Sequence, residues 1–299
     1  MTSYSPCAAA LVADMEALAA IDPSRAVAFQ GAPGAYSHQA VREAFPAASP
    51  LPCVAFEDAI EAVQTGRAAR AVIPIENSLH GRVADVHFLL PEAGLHIVAE
   101  HFVRVRHCLL GIGNQADLRA VLSHPQALGQ CRARLRGWGL EPVGHFDTAG
   151  AAAAVADAGD ASRGAVASAL AGELYGLNVL ARGIEDADHN TTRFVVLARE
   201  SVEVAPGVPT MTSFTFLTRN VPASLFKALG GFATNGVNMT KLESYLRGGS
   251  FSAAEFYADI EGRPEEPAVR LAMEELAFHT ERVKLIGTYP RSALRDMLG

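Results

Sequence analysis

Residues 190–198 read Asn-Thr-Thr-Arg-Phe-Val-Val-Leu-Ala, a polar turn running straight into an apolar strand. The part from Phe194 to Ala198 is apolar and β-branched enough for a buried strand, and the acidic loop Glu185-Asp186-Ala187-Asp188-His189 precedes it. Two hydroxyls and a guanidinium held between loop and buried strand suit a site that grips a small anion. The plainer account of these residues is a capped turn with a surface arginine. Polar junctions elsewhere in the chain favour the first.

Working outward, residues 25–199 alternate apolar strands with helical stretches, the pattern of an α/β layer structure. Strands are predicted at 25–30, 71–75, 119–123, 164–168 and 194–198, and helices at 37–45, 82–90, 126–137, 148–158 and 168–175. Residues 94–113 alternate over a length too great for one ordinary strand, which predicts a long strand pair crossing between two lobes. The first lobe is then 25–103 with 190–200 returning to it, and the second is 104–189. Residues 8–20 form a short helix within an extension at 1–24, and 201–210, with Pro206, Gly207 and Pro209, read as a linker. From 211 to 292 the order changes to strand 211–218, helix 222–234, strands 238–246 and 252–260, helix 265–279 and strand 283–289. That βαββαβ order is a ferredoxin-like unit.

Composition narrows the function classes. The chain has 299 residues and is 49% hydrophobic, enough to bury a sizeable core over two or three domains. Residues 1–210 hold 15 Arg and no Lys against 22 acidic residues, whereas 211–299 balance 10 basic with 10 acidic. An acidic chain without a basic stripe is a poor nucleic-acid binder. The missing lysine excludes a Schiff base, a pyridoxal anchor and a phosphate-loop lysine from the first 210 residues. No apolar run approaches the ~20 residues that span a bilayer, and the N-terminus lacks the basic start of a secretory signal. Cys7, Cys53, Cys108 and Cys131 form no CxxC pair, which predicts reduced thiols in a cytoplasmic protein.

Open α/β sheets bind ligands beyond the carboxyl ends of their strands, and those ends share a chemistry here. The first strand leads into Gly31-Ala32-Pro33-Gly34-Ala35-Tyr36-Ser37, a glycine-bearing turn opening a helix whose free N–H groups attract carboxylates or phosphates. The second ends in Glu76-Asn77-Ser78, a carboxylate, an amide and a hydroxyl placed where purposeless burial is costly. The third ends in Ser123-His124-Pro125-Gln126, with Gln130 one turn further along the same helix face. Ser168 ends the fourth, and Asp147-Thr148 opens another helix. Each alone passes for a helix cap; four or five at one sheet edge, beside Arg193, are harder to dismiss.

The glycine turn at 31–37, the run Pro74-Ile75-Glu76-Asn77-Ser78, the run Ser123-His124-Pro125-Gln126 and Thr192-Arg193-Phe194 together resemble prephenate dehydratase. Order and spacing match over about 175 residues, and the second half is similar to the ACT regulatory domain that usually follows. Plant arogenate dehydratases share the same segments. The fused chorismate mutase module is not in this chain. The resemblance implies a two-lobed, periplasmic-binding-protein-like α/β catalytic domain followed by a ferredoxin-like ACT domain. It also implies decarboxylation and dehydration of prephenate to phenylpyruvate in L-phenylalanine biosynthesis. No metal or redox cofactor is implied, because aromatisation drives the reaction. No HExxH, zinc spacing or Gly-x-Ser-x-Gly elbow is present either.

Carried over by motif position, Thr192 is the donor to the departing ring hydroxyl, and Glu76 is either the alternative acid or the group that orients Arg193. Arg193, with a fork that matches a carboxylate bidentately, pairs with the substrate. Ser123 joins the catalytic group, and Gly31, Ser37, Asn77, Ser78, Gln126, Gln130, Ser168, Thr191 and Phe194 line the substrate. Neutral donors fit, because strong ion pairing at the departing carboxylate would stabilise the ground state.

In the second half, Pro222-Ala223-Ser224-Leu225-Phe226 stands where the family often has Gly-Ala-Leu-Val. Asn238 to Ser244, including Glu243, fits well, but Tyr245-Leu246 replaces the usual Arg-Pro. These motifs imply a pocket for L-phenylalanine as feedback effector, shared between paired units of a homodimer or homotetramer. Arogenate as substrate, and a non-catalytic amino-acid sensor, are the competing readings.

Overall fold

The computed structural model describes residues 4–246 and 254–298. Positions 252 and 253 of the expected strand, and 1–3 of the N-terminal extension, lie outside the described residues. The chain divides into two compact units, residues 1–81 with 102–194 and residues 82–101 with 195–299.

The first sheet contains β1 (Ala26–Gln30), β2 (Ser49–Cys53), β3 (Arg70–Asn77), the two-residue β4 (Gly81–Arg82), β5 (His96–Arg104) and β11 (Thr191–Ala198). Their order is β2-β1-β3-β11-β5, with β4 paired to β3. β1 runs parallel to both β2 and β3. Strand β2, Ser-Pro-Leu-Pro-Cys, was not expected. Two prolines cannot donate to a ladder, and a sheet tolerates them at an edge, which is where β2 lies. Helices α2 (Tyr36–Ala44) and α3 (Phe56–Gln64) follow β1 and β2 and return the chain for the next strand.

The second sheet is β10-β6-β9-β7-β8, made of β6 (Cys108–Gly111), β7 (Ala120–Ser123), β8 (Glu141–Gly144), β9 (Arg163–Ala167) and β10 (Asn178–Arg182). Leu110, Leu122, Ala165 and Ala167 pack against Ala149, Ala152 and Val155 of helix α7 (Thr148–Ala158). Leu109, Val121 and Val166 face Ala127 and Leu128 of α5 (Pro125–Gln130) and Leu135 of α6 (Arg132–Gly137). Neighbours in sequence therefore serve opposite faces, as a period of two requires, and both faces are covered. The single helix expected over 126–137 is two, broken at Cys131, and α8 (Ala169–Leu174) follows β9.

The predicted short helix near the N-terminus is α1 (Pro6–Ile21). It places Ala8 in the α7 core and donates the Cys7 N–H to the Asp157 carboxylate at 3.2 Å. All four cysteines are free. Among the described residues no helix is long and apolar enough to cross a membrane.

The third sheet, β13-β14-β12-β15, joins β12 (Thr210–Thr218), β13 (Met239–Leu246), β14 (Ala254–Glu261) and β15 (Thr280–Pro290). Each neighbouring pair is antiparallel. Helices α9 (Ser224–Thr234) and α10 (Pro267–His279) supply Phe232, Val269 and Leu276 to a core with Phe214, Phe216 and Phe256. This is the expected βαββαβ unit. Tyr257 alternates away from that core and meets His87 of α4 (Ala84–Leu89) edge-on, with ring centroids 5.2 Å apart. A fifth-strand carboxylate, Glu100, takes Arg295 of α11 (Leu294–Leu298) through Nε at 2.7 Å and Nη2 at 2.8 Å.

Candidate active site

The end of β3 and the start of β11 are neighbours in one sheet, so segments more than a hundred residues apart meet side by side. Ser78 N–H donates to the Thr191 carbonyl at 2.9 Å. The Ser78 hydroxyl donates to the His189 carbonyl at 2.8 Å and accepts the Thr191 N–H at 3.0 Å. Asn77 sits between them. Its Oδ1 accepts the main-chain N–H groups of Leu79 and His80 at 3.0 and 3.1 Å, a local turn typical of asparagine. Its Nδ2 donates to Thr192 Oγ1 at 3.0 Å and to Asn190 Oδ1 at 2.7 Å.

Glu76 and Arg193 form an ion pair, Nη1 to Oε1, at 2.8 Å. Arg193 is only 2% exposed and Glu76 32%. A guanidinium this enclosed, with a carboxylate already on one nitrogen, does not present the open fork a substrate carboxylate needs. Arg193, expected to pair with the substrate, is held by Glu76 in this structure.

The candidate hydroxyls sort by where their single proton goes. Ser123 is fully buried and donates to the Val166 carbonyl at 2.6 Å. Ser168 donates to the Gly34 carbonyl at 2.6 Å while capping α8 through the Ala171 N–H. Neither is the free donor expected of it, and Ser78 has spent its proton as well. Thr191 Oγ1 is buried without a partner among the described residues. Thr192 differs from all of these. It is half-buried, accepts from Asn77, and among the described residues has no acceptor for its own proton.

The glycine turn is fixed from several sides. Gly34 has φ +92°, and a Cβ there would come within 2.7 Å of the Ala171 Cα, so only glycine fits. Its N–H donates to His38 Nδ1 at 3.0 Å, and Tyr175 donates to the Pro33 carbonyl at 2.8 Å. Burial, with Arg42 adding to it, drops His38 to about 4, so the ring stays neutral and accepting. Ser37 is buried beside it. Gly31, φ +113°, also lines a cavity of about 420 Å³ with Tyr4, Val54, His145, Phe146 and Asp147.

Gln130 is joined to Asn190 at 2.9 Å, whereas Gln126 is exposed on the same short helix. Phe194 lies in the core at 1% exposure, a packing residue rather than a surface against a ligand. Asn190, His80, His107 and Tyr36 belong to the same hydrogen-bonded group and were not anticipated. Asn190 could have been read from its place directly before Thr191. His107 sits between two apolar strands and gives no such signal.

In the second unit, Ala223 adopts φ +61°, a left-handed conformation, at the start of α9. Ser224 is buried, Leu225 half-buried and Phe226 80% exposed. On β13, Glu243 pairs with Lys241 at 3.4 Å, and the Ser244 carbonyl accepts from Arg82. Asn238 donates to Glu261 at 3.0 Å. Among the described residues no hydrogen bond joins 223–226 to 238–244.

Two α/β sheets carrying a polar, hydroxyl-bearing site, followed in the chain by a ferredoxin-like unit, define the architecture of a small-molecule enzyme. A family model for prephenate dehydratase matches residues 27–202. The chain belongs to the prephenate dehydratase family. It is 53% identical over 274 residues to a Komagataeibacter europaeus protein named bifunctional N-acyl-homoserine lactone acylase/prephenate dehydratase, covering 91% of this chain and 98% of that one. It is 38% identical to arogenate dehydratase/prephenate dehydratase 1 of Arabidopsis thaliana, over 90% of this chain and 73% of that protein. The structure of an Arthrobacter aurescens prephenate dehydratase in complex with L-Phe superposes with a TM-score of 0.81 at 26% identity, covering 89% of this chain and 90% of that one.

Proposed function

We propose that the chain converts prephenate to phenylpyruvate, with L-phenylalanine as effector at the ferredoxin-like unit. The observation that carries this is the Thr192 hydroxyl, fed a hydrogen bond by Asn77 and left with its proton unspent. In the reaction the bond to the ring carboxylate breaks, and its electrons complete the aromatic ring. The ring hydroxyl then departs with one proton taken up, giving carbon dioxide and water. Threonine is too weak an acid to give up its proton outright, so Thr192 supplies an oriented hydrogen bond as charge develops on the leaving oxygen. Glu76 holds Arg193, in the neighbouring strand, through their ion pair. The effector segments at 223–226 and 238–244 then make one pocket between two copies of a cytoplasmic homodimer or homotetramer. The domain limits proposed with this function are an extension at 1–24, a first catalytic lobe at 25–103 with 190–200, a second at 104–189, a linker at 201–210 and the regulatory part at 211–292.

Arogenate is the alternative substrate, since a 38% identical relative carries both names. A second activity, hydrolysis of an N-acyl-homoserine lactone, is favoured by the 53% identity to the bifunctional protein over almost the whole of both chains. Purified protein is incubated separately with prephenate, arogenate and an N-acyl-homoserine lactone. Phenylpyruvate, phenylalanine and released fatty acid are then assayed. Phenylpyruvate formation supports the main reading; its absence with activity on another substrate transfers the assignment.

A further inference from the structure

Tyr36 and His107 stand at the far end of a hydrogen-bonded chain that finishes on Thr192, and the direction of each link from Asn77 to His107 can be worked out. Asn77 Oδ1 receives two main-chain N–H groups, so its amide cannot be turned over, and Nδ2 must face Asn190 and Thr192. Asn190 therefore presents Oδ1 to Asn77 and Nδ2 to Gln130 Oε1, the latter at 2.9 Å. Gln130 is left with Nε2 on His80 Nε2 at 2.6 Å.

Gln130 Oε1 also lies 2.7 Å from His107 Nε2, which must carry a proton to donate there. A neutral imidazole has one N–H. Its Nδ1 is then a bare acceptor 2.8 Å from the Tyr36 hydroxyl, whose single proton is shared between this nitrogen and the Arg106 carbonyl at 3.0 Å. Burial holds His107 below the ordinary histidine value, with the Gln130 bond and Glu185 pulling the other way, so the neutral form persists at neutral pH. The His107 main-chain N–H is pinned by Glu185 Oε2 at 2.8 Å, and the two rings meet edge-on at 5.5 Å.

The geometry points to Tyr36 and His107 as positioning residues for Thr192, fixing through Gln130, Asn190 and Asn77 which way each amide faces. The inference rests on the dehydratase reading for its kinetic consequence, though not for the hydrogen-bond pattern. Without the Tyr36 hydroxyl, the other imidazole tautomer becomes accessible. It sets a lone pair against Gln130 Oε1 and presses that amide to turn over. Asn190 would have to follow, but Asn77 is anchored and cannot. The strain falls on the donor to Thr192. Misplacement of a reacting contact by about 1 Å can cost up to ~10²-fold in rate.

The test uses the full-length protein, its Tyr36→Phe, His107→Phe and His107→Gln variants, and each combined with Thr192→Val. Nitrogen-15 spectra of histidine-labelled protein are expected to show His107 as the Nε2–H tautomer. With prephenate, Tyr36→Phe and His107→Phe are expected to lower kcat about tenfold with KM within about twofold. His107→Gln, which can still donate to Gln130, should recover most of that loss. In the Thr192→Val background the same changes should cost almost nothing more, because their effect passes through Thr192. An Nδ1–H tautomer, or kcat in His107→Phe within twofold of the parent, overturns the inference. A parent protein that forms no phenylpyruvate overturns the dehydratase reading instead, while the nitrogen spectrum still judges the hydrogen-bond chain.

Discussion

Asn77 donates to Thr192 Oγ1 across 3.0 Å while its own carbonyl is held by the main chain of the following turn. A hydroxyl that already accepts such a bond has its proton directed elsewhere, which is what a leaving-group donor needs. Asn77→Asp tests this polarity. An aspartate accepts rather than donates, so it draws the Thr192 proton to itself and away from substrate. The expected outcome is a loss of kcat comparable to that from removing one oriented donor, about 10²-fold, measured by phenylpyruvate formation at saturating prephenate.

The Glu76–Arg193 pair makes a prediction about stability. Glu76→Ala leaves a guanidinium 2% exposed with that partner gone, and breaking a buried pair in this way typically costs ~3–5 kcal/mol. Because Glu76 is about one-third exposed, solvent reduces the figure to roughly 2 kcal/mol. Urea unfolding should show the lower midpoint.

His38 sets an acid limit. Its folded-state value is near 4 against 6.5 for the unenclosed side chain, so unfolded chains take up a proton first as pH falls. The stability it contributes is complete above about pH 6.5 and is lost progressively as pH falls to about 4, up to about 3 kcal/mol. His38→Gln should flatten this part of the stability–pH profile. An unchanged slope between pH 6.5 and 4 would contradict the assignment.

Ala223 occupies a left-handed conformation at the start of α9. Such a backbone costs a non-glycine residue about 1–2 kcal/mol, partly offset by the greater freedom of glycine in the unfolded chain. Ala223→Gly should therefore stabilise the calorimetric transition of the second unit by about 0.5–1 kcal/mol.

What could be read from the sequence follows from which interactions are local. The strands 71–75 and 194–198 were legible because apolar runs between polar turns are a short-range pattern. Edge strand β2 was not, because Pro50 and Pro52 argue against a strand until its position at the sheet margin is known. The polar junctions at 76–78 and 190–193 were legible as candidates, but not how their protons are spent. Ser123 and Ser168 turn out to bind the carbonyls of Val166 and Gly34, 43 and 134 residues away in the chain. The bond from Arg193 to Glu76 could be named only as one option for the same reason: the two are 117 residues apart. His107 and Tyr36, 71 residues apart, carry no local mark of their link to each other.

The central claim is that the hydroxyl at position 192 aids departure of the ring oxygen. It is tested most directly by comparing kcat for prephenate in Thr192→Val and Thr192→Ser. The valine variant keeps the shape without the donor and is expected to turn over about 10²–10³-fold more slowly, whereas serine should stay within about tenfold of the parent. A valine variant that forms phenylpyruvate at close to the parent rate would contradict the account.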